Sequence, residues 1–177
     1  MDNKLKPIQL RTSEPTQEQL DSIKRQEIYI ILDDVLDTYN TGSIFRLADA
    51  VGAKKIFLCG RTETPPNTRI KKASINTWQW VPWEYKTSAK DAIIDLRSYI
   101  LDLNVVAVEQ DSRSVDFKSF DYKLPIALVV GNETDGCSKE TLDNCDSIVE
   151  LPMFGINTSL NVMVSLGIVL YKVVEKL

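Results

Sequence analysis

The chain has 177 residues, and its 21 basic and 25 acidic side chains give a net charge of -4 and a pI near 5.0; that size suits one domain able to take roughly 70% of its unfolded surface out of water, and that balance argues against indiscriminate nucleic-acid binding while leaving room for a local basic patch. Histidine is absent, which excludes Ser/His and Cys/His nucleophilic sites, His-ligated zinc and imidazole as a general base; with no Cys/His cluster and no ligand-spaced acidic loop either, no metal is expected. The three cysteines, Cys59, Cys137 and Cys145, form no C-x-x-C pair and no even-numbered framework, and with neither a signal peptide nor a run of ~18 apolar residues the expectation is a reducing, cytoplasmic setting without membrane contact.

Residues 1–26 carry the weakest pattern, with a helix around Thr16 to Lys24 and basic residues at Lys4, Lys6, Arg11, Lys24 and Arg25. Ile28 to Leu32, IYIIL, is short and rich in β-branched residues, the mark of a buried strand, and exits into the polar stretch Asp33 to Thr41. Asp33, Asp34 and Asp37 lack the spacing of a cation loop and read as loop solubility. NTGSIFR follows: Gly42 permits a tight turn, and Arg46 lies about one helical turn further on, able to reach a phosphate by two parallel bonds. Taken alone, Arg46 reads as a surface salt bridge. From Ile44 the spacing of Ile44, Leu47, Ala48 and Val51 predicts a helix with one buried face, ended by Gly52.

Lys55 to Cys59 predicts a second strand. RTETPPNTR then forms a loop, because Pro65 and Pro66 lack amide donors. Around it stand Arg61, Arg69, Lys71 and Lys72, a candidate basic cluster whose plainer reading is a solvated mixed-charge surface. Ser88 with Asp91 three residues on resembles a capping box, opening a helix that buries Ala92, Ile93, Leu96 and Ile100. Val105 to Val108, Ile126 to Val130 and Ser147 to Leu151 are further strands, with a short helix from about Ser138 to Asn144 between the last two. Strands and helices alternate throughout. The expected class is α/β: one domain over 1–177, built on a mainly parallel sheet with helices on both faces.

GNETDG, Gly131 to Gly136, is ordinary turn chemistry when taken alone, and neither G-x-x-x-x-G-K-[ST] nor G-x-G-x-x-G occurs. In LPMFGINTSLN, Pro152 and Gly155 force an irregular backbone that can offer its amides and carbonyls to a ligand, with Asn157 or Thr158 suited to capping the next helix. That helix is apolar nearly all round. Leu160, Met163, Val164, Gly167, Ile168 and Tyr171 occupy one face, and Val162, Leu166, Val169, Leu170 and Val173 cover much of the rest. One face on the sheet and the other on a second subunit gives a homodimer; an ordinary core helix is the alternative.

In this order, NTGSIFRLADAVGA, ALVVGNETDGCS and VELPMFGINTSLNVMVSLGIVLY resemble the three motifs of the SpoU or TrmH-like branch of the SPOUT methyltransferases. TPPNTRIKKAS and VVAVEQDSRSVDF, lying between, resemble short stand-alone members, so the resemblance covers nearly the whole chain. It implies transfer of a methyl group from S-adenosylmethionine to a ribose 2′-hydroxyl of RNA, with tRNA ahead of rRNA and a catalytically silent RNA-binding module as the alternative. It implies an α/β-knot, with the C-terminal part threading a loop as a trefoil knot. The methyl donor is then expected to lie bent against backbone near Val108, Gly131, Leu151, Met153 and Leu160, Gly131 allowing close approach.

The same resemblance makes Arg46 the residue acting on the 2′-hydroxyl. A guanidinium stays protonated in proteins, so stabilising the developing alkoxide and fixing the adjacent phosphate is the role expected of it. Asn40, Glu133, Ser159 and Asn161 match the remaining polar positions and are expected to orient Arg46, the ribose and the loops. RNA is expected to meet Arg46, Arg61, Arg69, Lys71 and Lys72, with RIKKAS as an RNA-facing loop, and a dimer would bring one subunit's Arg46 to the other's cofactor site. On this reading the chain lacks the N-terminal RNA-binding domain and C-terminal extension of some relatives. ASINTWQW departs from the Gly-Ala-Glu pattern expected there, so substrate identity is not transferred.

Overall fold

The computed structural model describes residues 5–12 and 14–175, and Lys4 and the side chain of Arg11 lie outside what it describes. Two short helices, α1 (Pro7–Thr12) and α2 (Gln17–Asp21), precede strand β1 (Gln26–Asp33). Thr16 caps α2 by a reciprocal box, its hydroxyl accepting from the Gln19 amide while the Gln19 side chain accepts from its own amide. The predicted helix in this region therefore exists but is short. After β1 come α3 (Thr38–Val51), β2 (Ala53–Cys59), α4 (Thr68–Ser74), a 3-10 turn at Thr77–Gln79, β3 (Trp83–Lys86) and α5 (Ala89–Tyr99). The chain continues through β4 (Asn104–Val108), β5 (Val115–Asp116), β6 (Ile126–Val130), α6 (Lys139–Leu142), β7 (Ser147–Glu150) and α7 (Val162–Val174).

The seven strands form one sheet in the order β3-β2-β1-β6-β4-β7-β5, and every neighbouring pair is parallel. The side-chain period of two divides β1 between layers. Ile28, Ile30 and Leu32 pack with Ile44, Phe45 and Ala48 of α3 and with Leu166, Val169 and Leu170 of α7, whereas Tyr29 and Ile31 pack with Ala92, Ile93 and Leu96 of α5. Helices thus cover both faces, which is why β1 and β6 read as unbroken apolar runs. The sequence pattern misses β3 and β5. Both are short and partly exposed, and only their pairing with β2 and β7 makes them strands.

Three local expectations are corrected. Helix α3 begins at Thr38, with the Asp37 side chain accepting from the Tyr39 amide at 2.8 Å, so Asn40, Thr41 and Gly42 lie inside the helix and Gly42 makes no turn. A Cβ on Gly42 would stand 2.6 Å from the Ala73 Cβ and 2.8 Å from the Ile70 carbonyl oxygen, so glycine is there to let α4 lie against α3. RIKKAS is helix rather than loop: Asn67 caps α4 by accepting from the Arg69 and Ile70 amides, Ile70 and Ser74 turn inward, and Arg69, Lys71 and Lys72 face solvent. The cap of α7 is neither Asn157 nor Thr158 but Asn161, which accepts from the Met163 and Val164 amides at 3.0 and 3.4 Å.

Helix α7 buries Leu166, Val169, Leu170 and Val173, while Val164, Ile168 and Tyr171 are 40%, 38% and 54% exposed. One apolar face is covered by the sheet, and the other is left partly exposed among the described residues. Alanine at position 42 is a test of the α3–α4 contact. Helix propensity favours it by about 1 kcal/mol over glycine, yet the clash lies against backbone that cannot swing aside, so Gly42→Ala is expected to destabilise by about 1–3 kcal/mol in urea unfolding.

Candidate active site

The carboxyl ends of β1, β4, β6 and β7 lie side by side, the place where open α/β sheets form ligand crevices. A cavity of about 430 Å³ opens there, walled by the exits of β4 and β6 and by the irregular segment 151–161. Val108, Gly131, Leu151, Met153 and Leu160 all line it, as do Glu133, Ser159 and Asn161. Neither Asn40 nor Arg46 does. Arg46 is exposed on α3 and makes no ion pair among the described residues, so the salt-bridge reading falls away.

Hydrogen bonds join residues from all three motif segments. Glu133 Oε1 accepts from the Asn40 side-chain amide at 2.9 Å and from the Asp37 amide at 3.0 Å, while Oε2 accepts from the Leu36 amide at 3.0 Å. The Asn161 side chain donates to Asn40 Oδ1 at 3.0 Å. The exits of β1, β6 and β7 are therefore tied together through Asn40. Partial burial opposes ionisation of Glu133, but the Asn40 side chain and the Leu36 and Asp37 amides outweigh it and hold the carboxyl below its usual range. Its place at the start of α3 favours negative charge as well.

GNETDG is a tight turn, as its composition suggests. Asn132 and Gly136 exchange backbone hydrogen bonds at 3.0 Å, and Asn132 Oδ1 accepts from the Thr134 and Asp135 amides. Gly131 is required by this turn: a Cβ there would lie 2.1 Å from the Cys137 nitrogen and 2.2 Å from the Gly136 carbonyl carbon, so its close approach is to the protein's own backbone. Gly155, by contrast, has open space around the position of a Cβ. Ser159 sits on the exposed loop, its amide donating to Asn157 Oδ1 at 3.2 Å.

The acidic trio is structural rather than solubilising. Asp33 accepts from the Ser138 amide, Asp34 from the Arg61 amide and guanidinium, and Asp37 caps α3. Arg61 is consequently committed, and its backbone amide bond to Asp34, with the side-chain pairing, holds that carboxyl below its usual range. Arg25 also leaves the candidate patch: half-buried, it donates to the Ala53 and Trp80 carbonyls. Arg69, Lys71 and Lys72 remain as exposed cations without ion pairs among the described residues. Cys59 and Cys137 are buried and Cys145 half-buried; burial pushes all three thiols up, Cys145 to about 12, which disqualifies them as nucleophiles.

Sequence reasoning missed Glu109, Gln110, Asn132 and Glu150, which also line the cavity. Glu109 accepts from the Cys137 amide and from the Gln110 amide, both at 2.9 Å, and the Gln110 side chain donates to the Thr158 carbonyl. No local pattern marks these residues; only the side-by-side alignment of β4, β6 and β7 brings them together. Among the described residues, no group of three or more Cys, Asp or Glu side chains could hold a metal ion, and no helix is long and apolar enough to cross a membrane.

A parallel α/β sheet with a polar crevice at its strand ends, bordered by an irregular C-terminal segment, is the layout of an α/β protein with a candidate ligand site. The chain belongs to the SpoU rRNA Methylase family, which matches residues 27–171. It is 33% identical over 161 residues to the 23S rRNA (guanosine-2′-O-)-methyltransferase RlmB of Ralstonia nicotianae, covering 90% of this chain and 63% of that one. It is 30% identical over 155 residues to a tRNA (guanosine(18)-2′-O)-methyltransferase of Aquifex aeolicus, covering 84% and 69%. The chain spans about six-tenths of the length of the first curated relatives it matches. Among solved structures, the AdoMet-bound rRNA methyltransferase of Sinorhizobium meliloti superposes with a TM-score of 0.78 at 30% identity, covering 95% of this chain and 60% of that one. The A. aeolicus TrmH/SpoU tRNA modifying enzyme gives a TM-score of 0.78 at 26% identity, covering 96% and 81%.

The Glu133 network carries a pH signature. A folded-state value below the ordinary 4.5 means that its contribution to stability is fully present above pH 4.5 and is lost as the pH falls through the folded-state value. The stability gap between wild type and Glu133→Gln, read from urea midpoints, is expected to be flat near neutral pH and to shrink below about pH 4.5. A gap independent of pH would show that the carboxylate charge is immaterial.

Proposed function

We propose that this protein transfers a methyl group from S-adenosylmethionine to a ribose 2′-hydroxyl of RNA, with tRNA taken first and rRNA second. The observation that carries the reading is the cavity itself. Its volume of about 430 Å³ lies in the range for small organic ligands, and two of its walls, the segments after β6 and β7, are tied to each other through Glu133, Asn40 and Asn161. Family membership and the AdoMet-bound relative support the choice of ligand. The names of the two relatives, one acting on 23S rRNA and one on tRNA, support both RNA classes.

The residues present suit such a ligand. Backbone around Gly131 and Leu151 to Leu160 can meet an adenine edge, and the irregular segment has amides and carbonyls to spare. Bound S-adenosylmethionine supplies an electrophilic methyl group, so in-line positioning of the hydroxyl does much of the catalytic work. Arg46 stabilises the oxygen as negative charge builds on it and grips the neighbouring phosphate, while the hydroxyl proton leaves to solvent. Asn40, Glu133 and Asn161 hold the walls of the site, and Ser159 stands at its rim. Exposed Arg69, Lys71 and Lys72 on α4 receive the RNA backbone.

Arg46 does not line its own chain's cavity, which supports a homodimer with shared sites. Its neighbour Leu47 lies against Gly167 of α7, the helix whose Val164, Ile168 and Tyr171 are uncovered. Phe154 and Ile156, on the cavity loop, are almost wholly exposed as well. A partner seated on this face covers both and brings Arg46 to the opposite cavity. The strand order supports the trefoil knot: residues 109–125 run from β4 out to edge strand β5 and back to β6, and β7 then inserts between β4 and β5.

Incubation with labelled S-adenosylmethionine and total RNA, followed by mapping of the labelled nucleotide, is expected to show a 2′-O-methyl group; no S-adenosylmethionine binding by calorimetry would favour the silent module. Arg46→Lys keeps the charge but loses the planar fork, and is expected to cut turnover by about 10²-fold or more with S-adenosylmethionine affinity unchanged. Near-wild-type turnover would sink the role given to Arg46. Ile168→Asp is expected to yield a folded monomer in sedimentation equilibrium with methyl transfer abolished, and an active monomer would refute site sharing.

A further inference from the structure

Three glutamates, Glu109, Glu133 and Glu150, are among the residues that line the cavity, and none of the lining residues is a lysine or arginine. Two are pinned. Glu133 is held by the Leu36, Asp37 and Asn40 donors, and Glu109 by the Cys137 and Gln110 amides. Glu109 is also boxed in, since a Cβ on Gly136 would fall 2.4 Å from its Oε2. Glu150 differs from both. It ends β7, half-buried, its backbone carbonyl accepting from the Phe117 amide at 3.1 Å, while its carboxylate has no hydrogen bond or ion pair among the described residues. A carboxylate without a partner beside two fixed ones makes the cavity electrostatically selective for a cation.

The donor and product of the proposed reaction differ by one positive charge at sulfur. Both keep the ammonium and carboxylate of the amino-acid end, so those contributions cancel in the comparison. Methyl transfer breaks the S–CH3 bond with its electron pair going to sulfur, forms the O–CH3 bond and releases the hydroxyl proton to solvent, leaving a neutral thioether in the site. Resting on the function proposed above, we infer that Glu150 is a specificity residue that makes the cavity prefer the sulfonium donor to the thioether product. The reaction then weakens the hold on its own product, because the attraction disappears with the charge.

Calorimetric titration of the full chain with S-adenosylmethionine, sinefungin and S-adenosylhomocysteine tests this, sinefungin carrying a protonated amine at the sulfonium position and transferring nothing. At low salt the two cations are expected to bind several-fold more tightly than S-adenosylhomocysteine, the gap narrowing in 0.5 M salt as screening grows. Glu150→Gln, which keeps the side-chain shape and has no hydrogen bond to lose among the described residues, is expected to weaken both cations about three- to tenfold and to leave S-adenosylhomocysteine within about twofold. Equal losses for all three ligands, or no loss for the cations, would overturn the role of Glu150. Failure of wild type to bind any of the three would instead sink the cofactor reading beneath it.

Discussion

The Asn40 side chain, 6% exposed, is committed at both ends of its amide, donating to Glu133 and accepting from Asn161. Its partners lie 93 and 121 residues away in the chain, on the exits of β6 and β7. A buried polar group left unpaired costs on the order of 1–3 kcal/mol, so these exits cannot drift apart independently. The Glu133 carboxylate extends the constraint to the start of α3 through the Leu36 and Asp37 amides. Fixing three otherwise irregular connections relative to one another is what gives the crevice a definite shape.

The turn beside the crevice is tight because backbone meets backbone. At Gly131 the turn after β6 folds back so closely on Gly136 and Cys137 that no side chain fits, and this closeness sets Glu133 against α3. Glu109 secures the same turn from the β4 side through the Cys137 amide.

Charge is distributed unevenly around this frame. Glutamates line the cavity, while Arg46 stands outside it on α3 and the free cations of α4 lie on the exposed face of that helix. An arginine inside would have glutamates there to pair with. The arrangement keeps the anionic pocket and the cationic residues apart within one chain. Val164, Ile168 and Tyr171 of α7 are apolar side chains left partly exposed in the same chain.

Much of this was legible in the residues. Apolar runs and helical spacing located five of the seven strands and the helices from α3 onward apart from α4, and their alternation implied the parallel sheet with two helical layers. Of the residues singled out through the motifs, Gly131, Glu133, Leu151, Met153, Ser159, Leu160 and Asn161 line the cavity, whereas Asn40 and Arg46 do not. What sequence could not supply was anything set by a neighbour distant along the chain. Gly42 looked like a turn because its constraint comes from Ala73 and Ile70 on another helix, RIKKAS looked like a loop because its cap is Asn67 behind two prolines, and Asp33, Asp34 and Asp37 looked like solubility because the amides they hold belong partly to other segments. Glu109 and Glu150 carry no local pattern. Hydrophobic periodicity is a property of neighbours in sequence, and so by itself it determined the class of fold and the order of its elements. Which side chains share a site was decided by strand register and close backbone approach, which exist only once the chain has folded.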